Sequence, residues 1–364
     1  MPKIIHAADL HLDSAFGGLP EEKARQRRRE SRELLDRLAD LARTEKAELV
    51  LLAGDLFDGE RVYPETIERL REALGGMACP VLIAPGNHDP YTPRSPYAAA
   101  PWPDNVHIFR ERELTAVEFP ELGCVVHGAA FTDTSRDDQV LAGFAAPEDG
   151  RVHLLCLHGD VNAPDSQYGP ITKDQIAASR LDYLALGHVH QFSGLQRQGA
   201  SFWAYPGCPE GRGFDELGEK GVLAGSVERG KAELRFVPLC CRRYQILRAD
   251  VTGTTPRQAI EAVIPSASGQ DVCRIILTGE TGAEGVDLRE LEAAYSHRFY
   301  ALQLRDETRI ARDIWARAEE DSLRGLFLRD LRERYEKASD EAEREKITLA
   351  VRFGLAALDG RDMG

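Results

Sequence analysis

Short, largely apolar runs alternate with amphipathic stretches in the first part of the chain. Residues 3–8, 49–53 and 81–84 have the composition of short buried strands. Between them, residues 21–47 and 64–76 carry apolar side chains at helical spacing, with charged residues at the remaining positions. This β-α-β-α-β order predicts parallel strands with helices packed outside them.

After about residue 104 the apolar runs become shorter and more frequent. We expect strands at 105–109, 113–118, 122–127, 151–157, 182–186, 201–205, 221–227 and 232–237. A helix is expected near 172–179. Two sheets stacked face to face and flanked by helices are the most economical arrangement, so the sequence predicts a mixed α/β (α+β) fold of two packed sheets.

A domain boundary is expected near residue 240, so the two-sheet domain would span 1–240. The elements expected beyond it are strands at 243–251, 272–277 and 299–304 and a helix at 256–263. They indicate a small α+β unit over 241–308. Gly and Pro are then almost absent until Gly354, and the apolar spacing is helical, which predicts a helical tail over 309–364.

The composition is that of an ordinary globular protein, with 43% hydrophobic and 29% charged residues among 364. No apolar stretch has the length of a membrane span and the N-terminus lacks a secretory signal, so we expect a cytoplasmic protein without membrane association. Seven cysteines without a CxxC pair favour free thiols. The net charge of −14 argues mildly against nucleic acid, although contact with DNA needs only a positive groove.

Potential metal ligands follow the predicted strands in five short clusters. They read Asp9-Leu10-His11, Gly54-Asp55, Gly86-Asn87-His88-Asp89, His158-Gly159 and Gly187-His188-Val189-His190. Ligands of open α/β sheets gather beyond the carboxyl ends of the strands, so we expect these side chains to come together. Carboxylates, imidazoles and an amide oxygen without a thiolate suit Mn²⁺, Fe²⁺ or Zn²⁺ and disfavour a purely structural zinc site.

The spacing within the clusters suggests how the ligands are shared. Asp9 and His11 are two residues apart, so on an extended strand both side chains would point the same way. His188 and His190 have the same spacing and could each face a different ion. Asp55 is the best candidate for a carboxylate that bridges both metals. Two such cations can clamp a phosphate and activate a water, so the clusters together predict hydrolysis of phosphate esters.

At these motifs the chain resembles the calcineurin-like metallophosphoesterases, and within them the DNA repair exonucleases of the SbcD and YhaO type. The phosphoesterase motifs cover residues 1–190. The run similar to the nuclease branch is Tyr205-Pro206-Gly207-Cys208-Pro209-Glu210-Gly211-Arg212-Gly213-Phe214-Asp215-Glu216, followed by Glu219-Lys220-Gly221. The resemblance implies two divalent metal ions, foremost Mn²⁺. One would be held by Asp9, His11, Asp55 and His190, and the other by Asp55, Asn87, His158 and His188.

Three further roles concern the substrate. If the amide before it is a ligand, His88 is free to contact the phosphate or to protonate the leaving oxygen. A neighbouring carboxylate would orient His88, and both Asp58 and Asp89 are candidates. Arg212 and Lys220 lie in a Gly-rich loop, where they either contact a phosphate chain or serve as turn residues.

Other polar residues are expected to be structural. His6 and His153 lie within predicted strands and are expected in the core, and Cys208 is expected to be a small buried residue instead of a nucleophile. The basic run at 25–29 is expected to form a solvated helix face. The apolar stripe at 323–331 fits either packing on the same chain or docking of a partner.

The leading hypothesis is a metal-dependent nuclease acting on DNA ends, because a small substrate would not require the extension beyond residue 240. The alternative is a phosphodiesterase for a small substrate such as a cyclic nucleotide, which the acidic charge favours slightly. A non-enzymatic adaptor is disfavoured by the intact ligand set. The resemblance also implies a coiled-coil ATPase of the SbcC or YhaN type as partner, and relatives are often homodimers.

Overall fold

The chain folds as two compact units, Met1–Arg243 and Tyr244–Gly364. A computed structural model describes residues 1–59, 62–161, 163, 165–282, 285–310, 315 and 318–358. Within these residues, no helix combines the length and the apolar character that crossing a membrane would require.

The elements of the first unit lie within one or two residues of most positions that the sequence predicts. Its strands are β1 (Lys3–Ala7), β2 (Leu49–Leu52), β3 (Val81–Ile83), β4 (Val106–Ile108), β5 (Thr115–Phe119), β6 (Cys124–Gly128), β7 (Val152–His158), β8 (Tyr183–Gly187), β9 (Gln196–Gln198), β10 (Ser201–Ala204), β11 (Gly221–Glu228) and β12 (Lys231–Pro238). Its helices are α1 (Glu21–Glu45), α2 (Pro64–Gly75), α3 (Pro96–Ala99) and α4 (Lys173–Ala178), with a 3-10 turn at Pro120–Leu122. The short elements α3 and β9 were not predicted.

These strands form two six-stranded sheets. The first has the order β12-β11-β1-β2-β3-β4, in which β1 to β4 are parallel and β11 and β12 are antiparallel additions at one side. The second has the order β5-β6-β7-β8-β10-β9, in which β6, β7, β8 and β10 are parallel. The predicted mixed α/β fold with two large sheets is confirmed.

One apolar layer fills the space between the sheets. Ile4 and Leu51 from the first sheet belong to the same buried cluster as Leu154 and Tyr183 from the second. Residues of the opposite pleat, such as Val50, pack instead against the helices that cover the outer face of the first sheet. Because both faces of these parallel strands are buried, the strands are apolar throughout, which explains the runs in the sequence.

Helix α1 differs from its prediction at one arginine. Arg27 is fully buried, whereas the basic run was expected to form a solvated face. The reason is the helical period, which places Arg27 on the same face as the buried Ser31 and Leu34. Its guanidinium is paired with Glu210 at 2.7 Å and with Glu30 at 2.8 Å.

The second unit contains a small parallel sheet and a helical tail. Its strands are β13 (Tyr244–Asp250), β14 (Val272–Thr278), β15 (Glu280–Thr281), β16 (Ala301–Asp306) and β17 (Arg309–Ile310). Its helices are α5 (Pro256–Val263), α6 (Leu288–Tyr295), α7 (Leu323–Lys337) and α8 (Glu341–Leu358), with a 3-10 turn at Ser296–Arg298. The sheet order is β13-β14-β16, and β15 pairs with β17. Helices α5 and α6 cover the sheet, and α7 and α8 enclose a separate small apolar cluster.

Candidate metal centre

The predicted ligands lie in loops at the carboxyl ends of parallel strands in both sheets. Asp9 and His11 follow β1, Asp55 follows β2, Asn87 follows β3, His158 ends β7, and His188 and His190 follow β8. Parallel strands bring these loops to one edge, and the stacking of the two sheets joins the two sets of loops there.

Ligand atoms from these loops converge. Those of Asp9, His11 and His190 lie within 4.8 Å of one another, as do those of Asp9, Asp55 and His158. Asp55 Oδ2 is 3.7 Å from His11 Nε2 and 3.4 Å from His158 Nε2. This central position is the one that a bridging carboxylate requires.

The backbone of the ligand loops is left-handed at several residues other than glycine. The angle φ is +55° at Asp9, +43° at His11, +51° at Asp55 and +112° at His188. Asp9 and His11 do point to the same site, as expected, but they do not lie on an extended strand, because β1 ends at Ala7 and the chain then turns. Such backbone costs roughly 1–3 kcal/mol per residue and is concentrated at functional sites.

Glycine is required at two positions beside the ligands. Gly54 has φ +86°, and a Cβ atom there would lie 2.5 Å from His158 Nδ1. A Cβ atom on Gly86 would overlap the carboxylate of Asp55. The two glycines thus let the loops approach each other closely enough for their ligands to meet.

Asp89 holds the loop that carries Asp55. Its buried carboxylate accepts hydrogen bonds of 2.6–3.2 Å from the backbone N–H groups of Asp55, Leu56, Phe57 and Gly86 and from the hydroxyl of Tyr97. Burial, together with the charge of Asp55, raises the pKa of Asp89 to about 7. Both oxygens of Asp89 are thus engaged in positioning the loop of Asp55. The candidate carboxylate beside the His88 ring is that of Asp58, whose Oδ1 lies 4.0 Å from His88 Nδ1.

Three histidines have a partner on the ring nitrogen that faces away from the centre. His158 Nδ1 is 3.0 Å from the carbonyl oxygen of Ala53, His11 Nδ1 is 3.0 Å from Asp58 Oδ1, and His190 Nδ1 is 2.7 Å from Glu216 Oε1. The Nε2 atoms of His11 and His190 point inward and lie 3.1 Å apart. A partner on the outer nitrogen fixes the tautomer and orientation of a metal-binding imidazole, so this arrangement fits a metal centre.

Burial sets the protonation of these groups. Desolvation lowers the pKa of His11 to about 4 and that of His158 to about 3, which leaves both rings in the neutral form that binds metal. Burial alone also lowers the pKa of His190, but the hydrogen bond to Glu216 and the charge of Asp9 raise it above the ordinary value. Burial raises the pKa of Asp9 to about 8. A divalent cation would compensate the charge of such a carboxylate.

The other predicted ligands lie around His158. Asn87 Oδ1 is 3.0 Å from His158 Nε2, and the ring centroid of His188 is 5.3 Å from that of His158. Desolvation lowers the pKa of His188 to about 4. Two residues that the sequence did not single out adjoin His188: Asp160 Oδ2 lies 3.9 Å from its Nε2, and the ring of the exposed Tyr168 lies 5.3 Å from its ring.

His88 is the most exposed of the histidines at the centre. Its side chain is 47% exposed, and its Nδ1 lies 4.0 Å from Asp58 Oδ1. Its backbone N–H donates to Asp55 Oδ1 at 2.9 Å, which fixes the position of the residue next to the central carboxylate. An exposed imidazole at this point can meet a substrate that approaches the centre from solvent.

The two basic residues predicted to bind substrate have different surroundings. Arg212 lies in the centre, with Nη1 3.2 Å from Asp58 Oδ1 and Nη2 2.7 Å from Glu216 Oε1. Lys220 is buried, and its Nζ donates to the carbonyl oxygen of His190 at 3.0 Å. Its ammonium therefore supports the ligand loop. Glu216 was missed as a functional residue, although it ends the run on which the resemblance rests.

Comparison with known proteins identifies the family. The calcineurin-like phosphoesterase family matches residues 2–192, which include every predicted metal ligand. The protein described as uncharacterized metallophosphoesterase YhaO of Bacillus subtilis (strain 168) is 29% identical over 338 residues, covering 84% of this chain and 81% of that protein. The chain is accordingly a metal-dependent phosphoesterase with divalent metal cofactors, and it belongs to the calcineurin-like phosphoesterases.

Proposed function

We propose that this phosphoesterase is a nuclease that hydrolyses DNA phosphodiester bonds at DNA ends, with Mn²⁺ as its metal. One observation carries the proposal. Arg212 and Glu216 belong to the run 205–216 that resembles the nuclease branch, and both lie within the metal centre, against Asp58 and His190. Residues of this run form part of the metal centre, so they help to determine which substrate the centre accepts.

The donor set fits two divalent cations. One ion would be held by Asp9, His11, Asp55 and His190, and the other by Asp55, Asn87, His158 and His188. Oxygen and imidazole donors without a thiolate suit Mn²⁺. When bound, the cations supply positive charge at the phosphate and an activated water near neutral pH.

The chain itself provides the proton for the leaving group. His88 is accessible, and Asp58, 4.0 Å from its Nδ1, orients the imidazole toward the centre. A sugar alkoxide is a poor leaving group, so proton donation by His88 accelerates its departure. Such general acid catalysis contributes roughly 10²–10⁴-fold.

The test compares DNA with a diester whose leaving group needs little protonation. The protein is incubated with Mn²⁺ and either end-labelled duplex DNA or bis-p-nitrophenyl phosphate. We expect cleavage of both. His88→Ala should slow DNA cleavage by about 10²-fold or more and cleavage of the activated diester much less. His107→Ala, which removes an exposed histidine from β4, is the matched control and should leave both rates unchanged.

The small-substrate alternative predicts a different pattern. The net charge of −14 favours it, because an acidic protein repels polyanionic DNA. Cyclic nucleotides should then be cleaved together with the activated diester, while duplex and single-stranded DNA stay intact at low salt. That result would contradict the nuclease proposal and leave the metal centre in place.

A coiled-coil ATPase of the SbcC or YhaN type is the partner that we propose for the helical tail. The apolar stripe of α7 is divided: Leu328 and Leu331 are buried, whereas Leu323 and Leu326 are 70% and 59% exposed. The exposed pair supports docking of a partner. Leu323→Glu with Leu326→Glu should abolish co-purification with the ATPase, and Leu217→Glu, at an exposed leucine of the first unit, should not. Equal co-purification of all variants would refute docking at this stripe.

A further inference from the structure

A chain of polar contacts joins two of the predicted ligands through residues that lie outside the ligand set. His190 contacts Glu216, Glu216 contacts Arg212, Arg212 contacts Asp58, and Asp58 contacts His11, each at 2.7–3.2 Å. Ser14 Oγ also donates to Asp58 Oδ2 at 2.9 Å. Both histidines belong to the same proposed metal site, so the two carboxylates act on one ion.

Arg212 has the shape that this bridge requires. Its backbone N–H and its Nη2 each donate to the carboxylate of Glu216 at 2.7 Å, while Nη1 reaches Asp58 on the other side. The rigid guanidinium fork can engage two carboxylates at once, which a lysine ammonium on a flexible stem does less specifically. The side chain of Glu216 is 4% exposed, so its oxygens are committed to these contacts.

Contacts of Glu210 with α1 and Cys241 also hold the loop that carries Arg212. Glu210 accepts hydrogen bonds from Arg27 at 2.7 Å, from Arg37 at 3.3 Å and from the backbone N–H of Cys241 at 3.1 Å. Arg27 also donates to the carbonyl oxygen of Gly211 at 3.0 Å, so the residue before Arg212 is fixed to α1. Arg212 is therefore presented to the centre by an anchored loop.

The second proposed metal site is built differently. The outer nitrogen of His158 is held by the carbonyl oxygen of Ala53, at the end of a buried strand. His158 needs no ionic bridge, because the acceptor of its outer nitrogen is a backbone carbonyl that follows the sheet strand. The two sites thus depend on different supports.

We propose that Arg212 is a positioning residue for one metal ion: it locks Asp58 and Glu216 against the outer nitrogens of His11 and His190. The affinity of this site depends on Arg212, and the affinity of the site around His158 does not. This inference rests on the proposed ligand set and not on the identity of the substrate.

Mn²⁺ binding to the full-length, metal-stripped protein tests the inference. Isothermal titration of the wild type should resolve two sites. Arg212→Gln and Glu216→Gln should each weaken one site by about 10–100-fold and leave the other within about threefold. The double variant should lose no more than the stronger single variant, because both changes break one bridge. Arg151→Gln is the matched control, since Arg151 also joins two carboxylates, Glu118 and Asp149, and should leave both affinities unchanged.

Two further measurements separate positioning from substrate contact and from misfolding. If Arg212→Gln leaves both Mn²⁺ affinities unchanged but raises KM for bis-p-nitrophenyl phosphate, Arg212 binds substrate and the inference is overturned. Equal weakening of both sites would also overturn it. If Arg212→Gln folds poorly, Arg212→Lys replaces it in the titration, because it preserves the charge. It should again weaken Mn²⁺ binding at one site and not at the other. All of these readouts are independent of whether DNA is cleaved.

Discussion

Buried histidines in this protein serve two purposes, and the partners of their two ring nitrogens distinguish them. Both nitrogens of His6 are used within the protein, with Nδ1 2.8 Å from the hydroxyl of Tyr183 and Nε2 3.1 Å from the carbonyl oxygen of Leu186. His6 is therefore a core residue, as expected. The Nδ1 of His158 likewise contacts a backbone carbonyl oxygen, but its Nε2 lies 3.0 Å from Oδ1 of Asn87, which is itself a predicted ligand.

The buried His6 makes the stability of the protein dependent on pH. Desolvation lowers the pKa of His6 to about 3, whereas the unfolded chain has a pKa near 6.5. The stability that neutral His6 contributes is thus present above about pH 6.5 and is lost as the pH falls toward 3. Between about pH 6 and 4, the free energy of unfolding should fall less steeply with decreasing pH in His6→Gln than in the wild type. The two slopes should differ by up to ~1.4 kcal/mol per pH unit.

Urea denaturation of wild type and His6→Gln across this pH range, with Mn²⁺ absent throughout, measures the difference between their slopes. Other buried histidines contribute to the slope in both proteins, so the comparison isolates His6. His297→Gln, at an exposed histidine, should follow the wild type. Identical slopes for wild type and His6→Gln would show that His6 is not kept neutral by burial.

At the scale of elements, the contact between α1 and the loop at 207–216 depends on a buried ion pair. Arg27 and Glu210 have side chains that are 0% and 2% exposed. Glu210→Gln would leave the buried guanidinium with Glu30 as its remaining carboxylate partner, so we expect a loss of about 3 kcal/mol in the free energy of unfolding. Chemical denaturation measures it. The control is Glu219→Gln, at an exposed position nearby, which should lower the free energy of unfolding by less than about 0.5 kcal/mol. An equally small effect of Glu210→Gln would contradict a stabilising role of the Arg27–Glu210 ion pair.

The sequence predicts elements well where burial leaves a clear apolar pattern. Helix α1 was recognisable because its apolar positions repeat with the helical period, and strands β1 and β2 because they are short continuous apolar runs. Helix α6 was missed, although it is as long as the predicted α5 and although Asp287 caps it by accepting a hydrogen bond from the backbone N–H of Glu290. Short elements give the pattern too few repeats, and their capping residues are then the better signal.

The candidate site was predictable only in part, for a related reason. Ligand residue types at strand ends can be read locally, which is how Asp9 and His188 were selected. The contact of Glu216 with His190 joins residues 26 positions apart through a loop. The left-handed backbone at Asp9 and His11 likewise results from tertiary contacts, such as the hydrogen bond of the His11 N–H to the carbonyl oxygen of Asp55. No local pattern encodes such contacts.

For the molecule as a whole, every predicted ligand lies in the first compact unit. Metal binding should therefore stabilise the first unit directly. We expect Mn²⁺ to slow hydrogen–deuterium exchange in peptides covering 9–13, 54–58 and 187–190 and to leave peptides from 244–282 unchanged. Mass spectrometry with and without Mn²⁺ measures this, and Asp9→Asn should remove much of the effect. Protection confined to the second unit would contradict the proposed location of the centre.

Because the centre takes ligands from both sheets, it cannot form until the growing chain includes the loops of both sheets. Asp9 and His11 leave the ribosome early, whereas Glu216 follows about two hundred residues later, a delay of roughly 10–40 s at ordinary rates of synthesis. During that interval isolated histidines and carboxylates would take up whichever ion binds them most tightly. The finished fold, and not the nascent polypeptide, therefore selects the metal, and the enzyme can be loaded after translation from the pool of ions in the cell.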